Sequence, residues 1–166
     1  MSRIRHVVPE DAAAWLAMRC ALWPDGTADE HTKELAEFFA GKDSGQPMAV
    51  LVAEECREHQ GDMPVEDPRD DRQCPLVGFA ELSIRFYAEG CHSRHVAFLE
   101  GWYVVPERRG AGYGRALVEA AEDWGRQQGC SEFASDAEND NQNSIQAHLA
   151  LGFEDVATIR CFRKDL

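Results

Sequence analysis

The residues best suited to chemistry in this sequence form a glycine-rich loop between an apolar stretch and an amphipathic one. The loop runs from Arg109 to Arg115, with glycine at positions 110, 112 and 114. Glycine lets successive backbone N–H groups converge on a phosphate, and a helix that begins here adds the partial positive charge of its first turn. The pattern therefore predicts an anion site, where we expect a phosphate-bearing cofactor to bind.

Two common phosphate-binding loops do not fit this sequence. A nucleotide-hydrolysing loop ends in Gly-Lys-Ser/Thr, whereas this loop ends in Gly114-Arg115-Ala116 and lacks both the lysine and the hydroxyl. A dinucleotide fingerprint starting at Gly110 requires glycine at its sixth position, which Arg115 occupies. A purely structural turn remains the alternative, although such a turn seldom needs repeated glycines and flanking arginines.

Two carboxylates in apolar surroundings are candidates for acid–base chemistry. Glu100 lies in F-L-E-G-W-Y and Asp136 in F-A-S-D-A, on either side of the helix predicted after the loop. An unpaired buried carboxylate is costly, so acids in such places either pair with another group or act on a substrate. The alternatives to chemistry are an ion pair in the core for Glu100 and a turn cap for Asp136. We expect Glu81, Glu89, Glu138 and Asp140 to be solvated.

Length and charge restrict the partners. The chain has 166 residues, 44% of them hydrophobic, which is enough for one core, so we expect residues 1–166 to form a single domain. The net charge of −13 disfavours a nucleic-acid partner and favours cationic ones. The first ten residues contain no signal-peptide core and no window approaches a membrane span. We therefore expect a cytoplasmic protein without a membrane partner.

The spacing of the cysteines does not indicate a disulfide framework. The six cysteines are scattered without a C-x-x-C pair. This disfavours both a disulfide scaffold and a structural zinc site. We expect reduced thiols and no bound metal.

Residue patterning predicts alternating strands and helices. Helices are expected to begin at Pro9, at about Asp29, at Gly112, and at Asn141 or Asn143. The acidic stretch at about 54–75 has almost nothing to bury and is predicted to be a long exposed loop. Strands are predicted at 4–8, 48–53, 76–84, 96–105, 132–135 and 157–163, the last of which should close the sheet.

The loop Arg109-Gly110-Ala111-Gly112-Tyr113-Gly114 resembles, at every fixed position, the R/Q-x-x-G-x-G/A loop of the GNAT superfamily of acetyl-coenzyme A dependent N-acetyltransferases. The likeness extends to V-V-P-E-R-R before the loop and to L-G-F at 151–153, and it covers most of residues 3–164. It implies an α/β (α+β) fold with a mixed, mostly antiparallel central sheet flanked by helices. Two central strands would splay apart to admit the pantetheine arm of acetyl-coenzyme A, the acetyl donor.

Further segments resemble one branch of that superfamily, the aminoglycoside 6'-N-acetyltransferases. They are L-W-P at 22–24, S-I-R at 83–85 with Y-A-E-G-C after it, F-L-E-G at 98–101, G-C-x-E-x-A-S-D at 129–136 and H-x-A-L-G-F-E at 148–154. The likeness implies direct acetyl transfer, in a ternary complex, to the 6'-amino group of an aminoglycoside antibiotic, which would confer resistance. Such antibiotics are small polycations, which suits an acid-rich site.

The resemblance also implies roles for individual residues. An alkylamine has a pKa of about 10.4 and is protonated at neutral pH, so a base must stand beside it. Glu100 is the best candidate for drawing off that proton, with Asp136 as the second catalytic carboxylate. The antibiotic would contact Trp23, Tyr87, Glu100 and Asp136, although Trp23 could equally be a core aromatic at a helix end. The coenzyme would contact Trp102, Tyr103, Val104, Arg109, Gly110, Ala111, Gly112, Tyr113, Gly114, Arg115 and Asn141.

Some features of the chain leave alternatives open. Many GNAT enzymes carry a tyrosine four residues before the glycine of G-F, thought to reprotonate the departing thiolate, and His148 stands there in this chain. The general acid therefore remains unassigned. The spacing from Arg85 to Gly90 is also shorter than in the branch, which bears on Tyr87. Two rival hypotheses are acetylation of another cationic amine, such as a polyamine or a protein N-terminus, and a non-catalytic acyl-coenzyme A binding module. We expect the chain to form a homodimer.

Overall fold

A single five-stranded sheet organises the chain. The computed structural model describes residues 2–42, 48–55 and 74–165. The strands lie in the order β1-β2-β3-β4-β5, and all neighbours are antiparallel except β4 and β5, which are parallel. This confirms the mixed, mostly antiparallel sheet predicted from the sequence. Their bounds are Ser2–His6 (β1), Ala49–Glu55 (β2), Leu76–Arg85 (β3), Val96–Val104 (β4) and Phe133–Ser135 (β5).

Four α-helices occur in the described ranges. They are α1 (Ala12–Leu22), α2 (Ala28–Phe39), α3 (Tyr113–Gln127) and α4 (Gln142–Ala150). Pro9 begins a short 3-10 turn ahead of α1. Thr27 caps the start of α2 through two reciprocal hydrogen bonds with Glu30. The Thr27 hydroxyl accepts from the Glu30 N–H (3.2 Å), and the Thr27 N–H donates to the Glu30 carboxylate (2.9 Å). None of the described helices has the length and apolar character needed to cross a membrane.

Alternation of side chains along the strands builds a core on each face of the sheet. On one face, Leu82 and Leu99 pack in the same cluster as Leu117 of α3. On the other face, Phe79 packs with Trp15 of α1. The helix that follows the glycine loop therefore lies on one face, and the helix that ends at Trp23 lies on the other.

The pairing of β4 with β5 is short. It joins Ala97 to Phe133, Phe98 to Ala134 and Leu99 to Ser135. Because β4 continues to Val104 while β5 ends at Ser135, this edge of β4 has no strand beside it beyond Leu99 in the described part of the chain. The predicted splay of the two strands is thus confirmed. Glu100 and Asp136 are the first residues beyond the last paired positions.

An irregularity in β4 falls at Glu100. The register joins Glu81 to Gly101 but Leu82 to Leu99, so Glu100 is an extra residue without a partner of its own. A β-bulge of this kind re-aims the side chains around it and increases the local twist. In this chain it aims the Glu100 carboxylate at Ser83 and brings Gly101 against Trp23.

The strand predicted at Ala157–Arg163 is wrong. No strand occurs within the C-terminal arm, which we define as residues 154–165, and Val156, Ile159 and Phe162 there are 57%, 61% and 88% exposed. The arm has a strand-like alternation, but alternation produces a strand only where a neighbouring edge supplies hydrogen-bond partners. Of the predicted loop at about 54–75, residues 56–73 lie outside the described ranges, and its first residues, Glu54 and Glu55, end β2.

Candidate active site

The glycine loop lies between a 3-10 turn at Pro106–Arg108 and the start of α3. Gly110 and Gly112 have φ angles of 78° and 89°, in the left-handed region that favours glycine. The first bond of α3 runs from the Ala116 N–H to the Gly112 carbonyl (3.0 Å). The N–H groups of Gly114 and Arg115 precede that bond and have no acceptor within the helix, so they face outward at its positive end.

The arginines around the loop differ in what they bind. Arg108 forms a bidentate ion pair with Glu55 (2.6 and 2.9 Å), which neutralises its charge. Arg109 donates to the Val104 carbonyl (3.0 Å) and Arg115 to the Ala150 carbonyl (3.2 Å). Because a carbonyl carries no net charge, Arg109 and Arg115 keep their positive charge for an anion at the loop.

Trp102 lies between the glycine loop and the region where β4 and β5 separate. A Cβ atom at Gly114 would lie 2.8 Å from Trp102 Cζ2, so only glycine lets α3 approach this ring so closely. The ring also meets His148 edge-on, with centroids 5.6 Å apart. Trp102 Nε1 is buried and has no hydrogen-bond acceptor among the described residues. The predicted coenzyme residues Trp102 and Gly114 are therefore in direct contact.

The backbone of β4 presents hydrogen-bonding groups at its open edge. The Val105 N–H bonds to the Val77 carbonyl (2.9 Å), toward β3. Because successive N–H groups of a strand point to opposite sides, the Val104 N–H points to the open edge. Arg109 donates to the Val104 carbonyl from that side, and its guanidinium carbon lies 5.6 Å from the Tyr103 ring centroid. Three predicted coenzyme residues thus meet beside the splay.

The Glu100 carboxylate is held by two side chains of β3. Ser83 Oγ donates to Glu100 Oε1, and Arg85 donates from Nε to Oε1 (3.0 Å) and from Nη2 to Oε2 (2.5 Å). The Glu100 side chain is 14% exposed. The structure thus contains the ion pair that is the alternative to a catalytic Glu100, and it places that pair at the start of the splay. The catalytic role stays a prediction.

Trp23, the C-cap of α1, is a neighbour of Glu100. A Cβ atom at Gly101 would lie 2.4 Å from Trp23 Cη2, so the indole rests on the backbone next to Glu100. The same indole packs edge-on to Phe79 (centroids 6.3 Å apart) and stacks on His31 (6.4 Å). Trp23 is therefore a half-buried core aromatic and also adjacent to the candidate base.

Glu81, expected to be solvated, is buried at 2% exposure, so that prediction is wrong. It accepts from Trp15 Nε1 (2.9 Å) and pairs with Arg19 Nε (2.8 Å), while the Arg19 guanidinium lies 4.9 Å from the Trp23 ring centroid. Burial raises the pKa of Glu81 to about 7, more than its two partners lower it. The signal was present in the sequence, because Glu81 lies in the apolar segment G-F-A-E-L, a pattern like that of Glu100.

Asp136 lines an open groove of about 330 Å³ beyond the end of β5. Part of its wall is apolar and includes Phe98, Ile145 and Phe153. Residues 156–159 of the C-terminal arm form one side. Such a groove attracts cations because it concentrates like charges at low-dielectric walls. Its carboxylates are Glu89, Asp136, Glu138, Glu154 and Asp155.

Three further candidates lie around this groove or on α4. Tyr87 is 68% exposed in the loop between β3 and β4. Asn141 caps α4 by accepting from the Ser144 N–H (3.1 Å). His148 has Nε2 3.0 Å from Ser135 Oγ, at the end of the β4–β5 pairing, and Nδ1 2.7 Å from the Ser144 carbonyl within α4, so both ring nitrogens have partners. These contacts do not assign a role to any of the three.

Metal and thiol chemistry have little support in the described ranges. They contain no group of three or more histidine, cysteine, aspartate or glutamate side chains able to hold a metal ion. Of the cysteines in the described ranges, Cys20, Cys91, Cys130 and Cys161 are free thiols, and Cys56 lies outside those ranges. Burial raises the pKa of the Cys130 thiol, which lowers its thiolate fraction.

Comparison of the sequence with known proteins gives a consistent result. Residues 15–153 match the sequence model of the acetyltransferase (GNAT) family. An aminoglycoside N(6')-acetyltransferase type 1 from Klebsiella aerogenes is 53% identical over 163 residues, covering 98% of this chain and 96% of that protein. A protein of the same name from Stenotrophomonas maltophilia is 38% identical, covering 98% of this chain and 93% of that protein.

Solved structures agree with the sequence comparison. AAC(6')-Iy in complex with the bisubstrate analogue CoA-S-monomethyl-acetylneamine has a TM-score of 0.80 and 31% identity, and the match covers 100% of this chain and 99% of that one. AAC(6')-Ih from Acinetobacter baumannii has a TM-score of 0.80 and 34% identity, with the same coverage.

The buried Glu81 predicts a measurable pH dependence of stability. Its folded pKa of about 7 lies above its ordinary value of 4.5, so the folded protein binds more protons than the unfolded chain between those values. We expect the free energy of unfolding of the wild type to fall, relative to that of Glu81→Gln, as the pH rises from about 4.5 to about 7. Urea unfolding of both proteins at several pH values measures this. A constant difference across the range would contradict the prediction.

Proposed function

Because the chain belongs to the acetyltransferase (GNAT) family, we propose that it transfers the acetyl group of acetyl-coenzyme A to the 6'-amino group of aminoglycoside antibiotics and thereby confers resistance. The observation that carries the proposal is the 53% identity, over nearly the full length of both chains, with a protein named for this activity. A cationic loop and an acidic groove on one molecule support it, since the reaction joins a polyanionic donor to a polycationic acceptor.

In this proposal the coenzyme diphosphate lies at the glycine loop. The outward N–H groups at the start of α3 and the charges of Arg109 and Arg115 support the placement. The pantetheine arm then follows the open edge of β4, where the Val104 N–H supplies a donor. Asn141 would contact the coenzyme from the start of α4. A net positive loop of this kind offsets the repulsion between the coenzyme and a chain of charge −13.

The antibiotic occupies the acidic groove in this proposal. Its ammonium groups face the carboxylates that line the groove, among them Asp136. Trp23 presents an aromatic ring beside Glu100, and Tyr87 presents an exposed ring in the loop after β3. The 6'-nitrogen then lies against Glu100, at the position where β4 and β5 separate.

The chemistry follows from that arrangement. Glu100 takes one proton from the 6'-ammonium, directly or through water, and the nitrogen lone pair attacks the thioester carbonyl. A C–N bond forms, and the Val104 N–H donates to the oxyanion. Because this N–H already points to the open edge of β4, it needs no reorganisation during the reaction. The C–S bond then breaks, the nitrogen loses its second proton, and the thiolate takes one up to leave as coenzyme A.

We further propose that the chain acts as a homodimer in the cytoplasm. The C-terminal arm supports the dimer, because its apolar residues Val156, Ile159 and Phe162 are exposed in the single chain. Apolar residues gathered on an exposed segment are typical of protein interfaces. Its strand-like alternation also fits a segment that pairs with the edge of another chain.

Replacing two apolar residues of the arm should break the dimer. We expect sedimentation of the wild type at twice 18.6 kDa, and of Ile159→Asp/Phe162→Asp at the monomer mass, because a charge at a buried apolar contact is costly. Lys164→Asp, an exposed position in the same arm, should stay dimeric and control for added negative charge. A wild type that sediments as a monomer at all concentrations would refute the dimer.

Thiol release tests the proposed activity directly. Acetyl-coenzyme A is mixed in turn with kanamycin, with a 6'-hydroxy analogue, and with spermidine, and free thiol is measured. We expect release with kanamycin only, since the analogue lacks the acceptor nitrogen. Release with spermidine alone would favour another amine as the substrate. Thermal stabilisation by acetyl-coenzyme A without thiol release from any amine would favour a non-catalytic binding module.

Glu100→Gln tests the base. The amide keeps the shape of the side chain but cannot take up the proton, so we expect kcat to fall by about 10²- to 10⁴-fold, while the Kd for acetyl-coenzyme A stays unchanged. Glu119→Gln, on the exposed side of α3, is the matched control and should retain wild-type kcat. Equal turnover in both variants would remove Glu100 from the base role.

A further inference from the structure

The contacts of Glu100 leave little of its carboxylate free. An ionised carboxylate has about four acceptor positions, two on each oxygen. Oε1 accepts from Ser83 Oγ and from Arg85 Nε, so both of its positions are taken. Oε2 accepts from Arg85 Nη2, which leaves one position. Among the described contacts, a single lone pair of Oε2 therefore remains for a substrate.

Arg85 is itself held on several sides. Its guanidinium carbon lies 3.4 Å from the ring centroid of Phe98, whose side chain is 2% exposed. Its backbone is the last residue of β3 and pairs with Val96 of β4. A guanidinium stacked on a buried ring and bonded through two nitrogens has little freedom to turn. We call the contacts of Ser83 and Arg85 with the Glu100 carboxylate the clamp. The clamp therefore exists before any substrate binds.

We propose that Arg85 is a positioning residue for acetyl transfer: with Ser83 it fixes the Glu100 carboxylate so that one lone pair of Oε2 receives the substrate ammonium. This inference rests on the proposed function and deepens it. The bulge explains why the clamp is needed, because Glu100 is an extra residue of β4 and has no partner across the strand to orient it.

Two tasks belong to different carboxylates: Glu100 receives the reacting ammonium group, and the carboxylates of the groove attract the polycation. Glu100 and Arg85 form a neutral pair, so the pair adds little to the attraction of a polycation. That attraction comes from the carboxylates of the groove, including Asp136 and Glu138. Because the groove carboxylates supply most of the attraction, loss of Arg85 should reduce the rate of the chemical step and change substrate affinity only by the smaller contribution of the uncompensated Glu100 charge. A merely structural arginine would not separate kcat from KM in this way.

Three variants test the clamp by steady-state kinetics with kanamycin. Arg85→Ala removes both the positive charge and the planar guanidinium group. Arg85→Lys keeps the charge but lacks the two parallel N–H donors of the guanidinium. We expect both to lower kcat by about 10- to 100-fold, the size of effect that a small misplacement of a reacting group produces, with KM for kanamycin within about threefold of wild type. Arg5→Lys is the matched control, because Arg5 also makes a bidentate pair, with Asp11, away from the splay. It should lower Tm and leave kcat unchanged.

Chemical rescue distinguishes positioning from stability. Methylguanidine should restore part of the kcat of Arg85→Ala, because it can occupy the space over Phe98 and bond Glu100, whereas methylammonium should not. A crystal structure of Arg85→Ala gives a readout that needs no activity, and in it Glu100 should leave its contact with Ser83. The proposed function fails if the wild type releases no thiol. The clamp alone fails if the wild type is active and Arg85→Ala keeps its kcat, or if Glu100 stays in place.

An increase in kcat/KM for Arg85→Ala, with a lower KM, would also overturn the clamp. That result would mean that Arg85 occupies the ammonium position in the free protein and is displaced by the substrate. A fall in kcat that matches the loss of Tm, and that occurs equally in Arg5→Lys, would reduce Arg85 to a stabilising residue.

Discussion

One extra residue in β4 is the constraint on which the candidate site depends. A regular antiparallel pair would place Glu100 and Gly101 on opposite faces of the sheet, because side chains alternate along a strand. The bulge at Glu100 breaks that alternation, so the carboxylate reaches Ser83 and Arg85 while Gly101 supports the indole of Trp23. Both sets of contacts lie where β5 ends and the edge of β4 becomes unpaired. The Glu100 carboxylate therefore lies next to the open backbone edge.

Electrostatics around that point follow a simple division. In the proposed function, a chain of charge −13 holds a polyanion at the glycine loop, and Arg109 and Arg115 suit this because the partners given for them in the described ranges are uncharged carbonyls. Five of its carboxylates line the groove beyond β5. Between the two lies the neutral pair of Glu100 and Arg85. In the proposed mechanism, a neutral centre separates the positive potential of the loop from the negative potential of the groove, so geometry rather than net charge places the reacting atoms.

The two carboxylates of the α1 face show why a sequence pattern can reveal a buried acid and not its role. Glu81 and Glu100 both lie in apolar segments, and the structure buries Glu81 and leaves Glu100 14% exposed. Their partners come from elsewhere in the chain, since Trp15 on α1 donates to Glu81 and Arg85 on β3 donates to Glu100. A pattern of hydrophobic and polar residues records burial, but it holds no information about which distant side chain folding brings alongside.

Sequence patterns were sufficient to predict the elements that local physics controls. The glycine loop, the helix after it and the strands around it follow from backbone freedom and periodicity, which act over a few residues. The short β4–β5 pairing was expected only from the family resemblance. The folded chain, in contrast, was needed to reveal the bulge at Glu100, the clamp by Arg85, the burial of Glu81 and the neutralisation of Arg108 by Glu55. The C-terminal arm belongs to the same class, because its strand-like alternation pairs with no strand among the described residues. Each of these depends on register and on contacts between residues far apart in sequence, and such contacts exist only once the chain has folded.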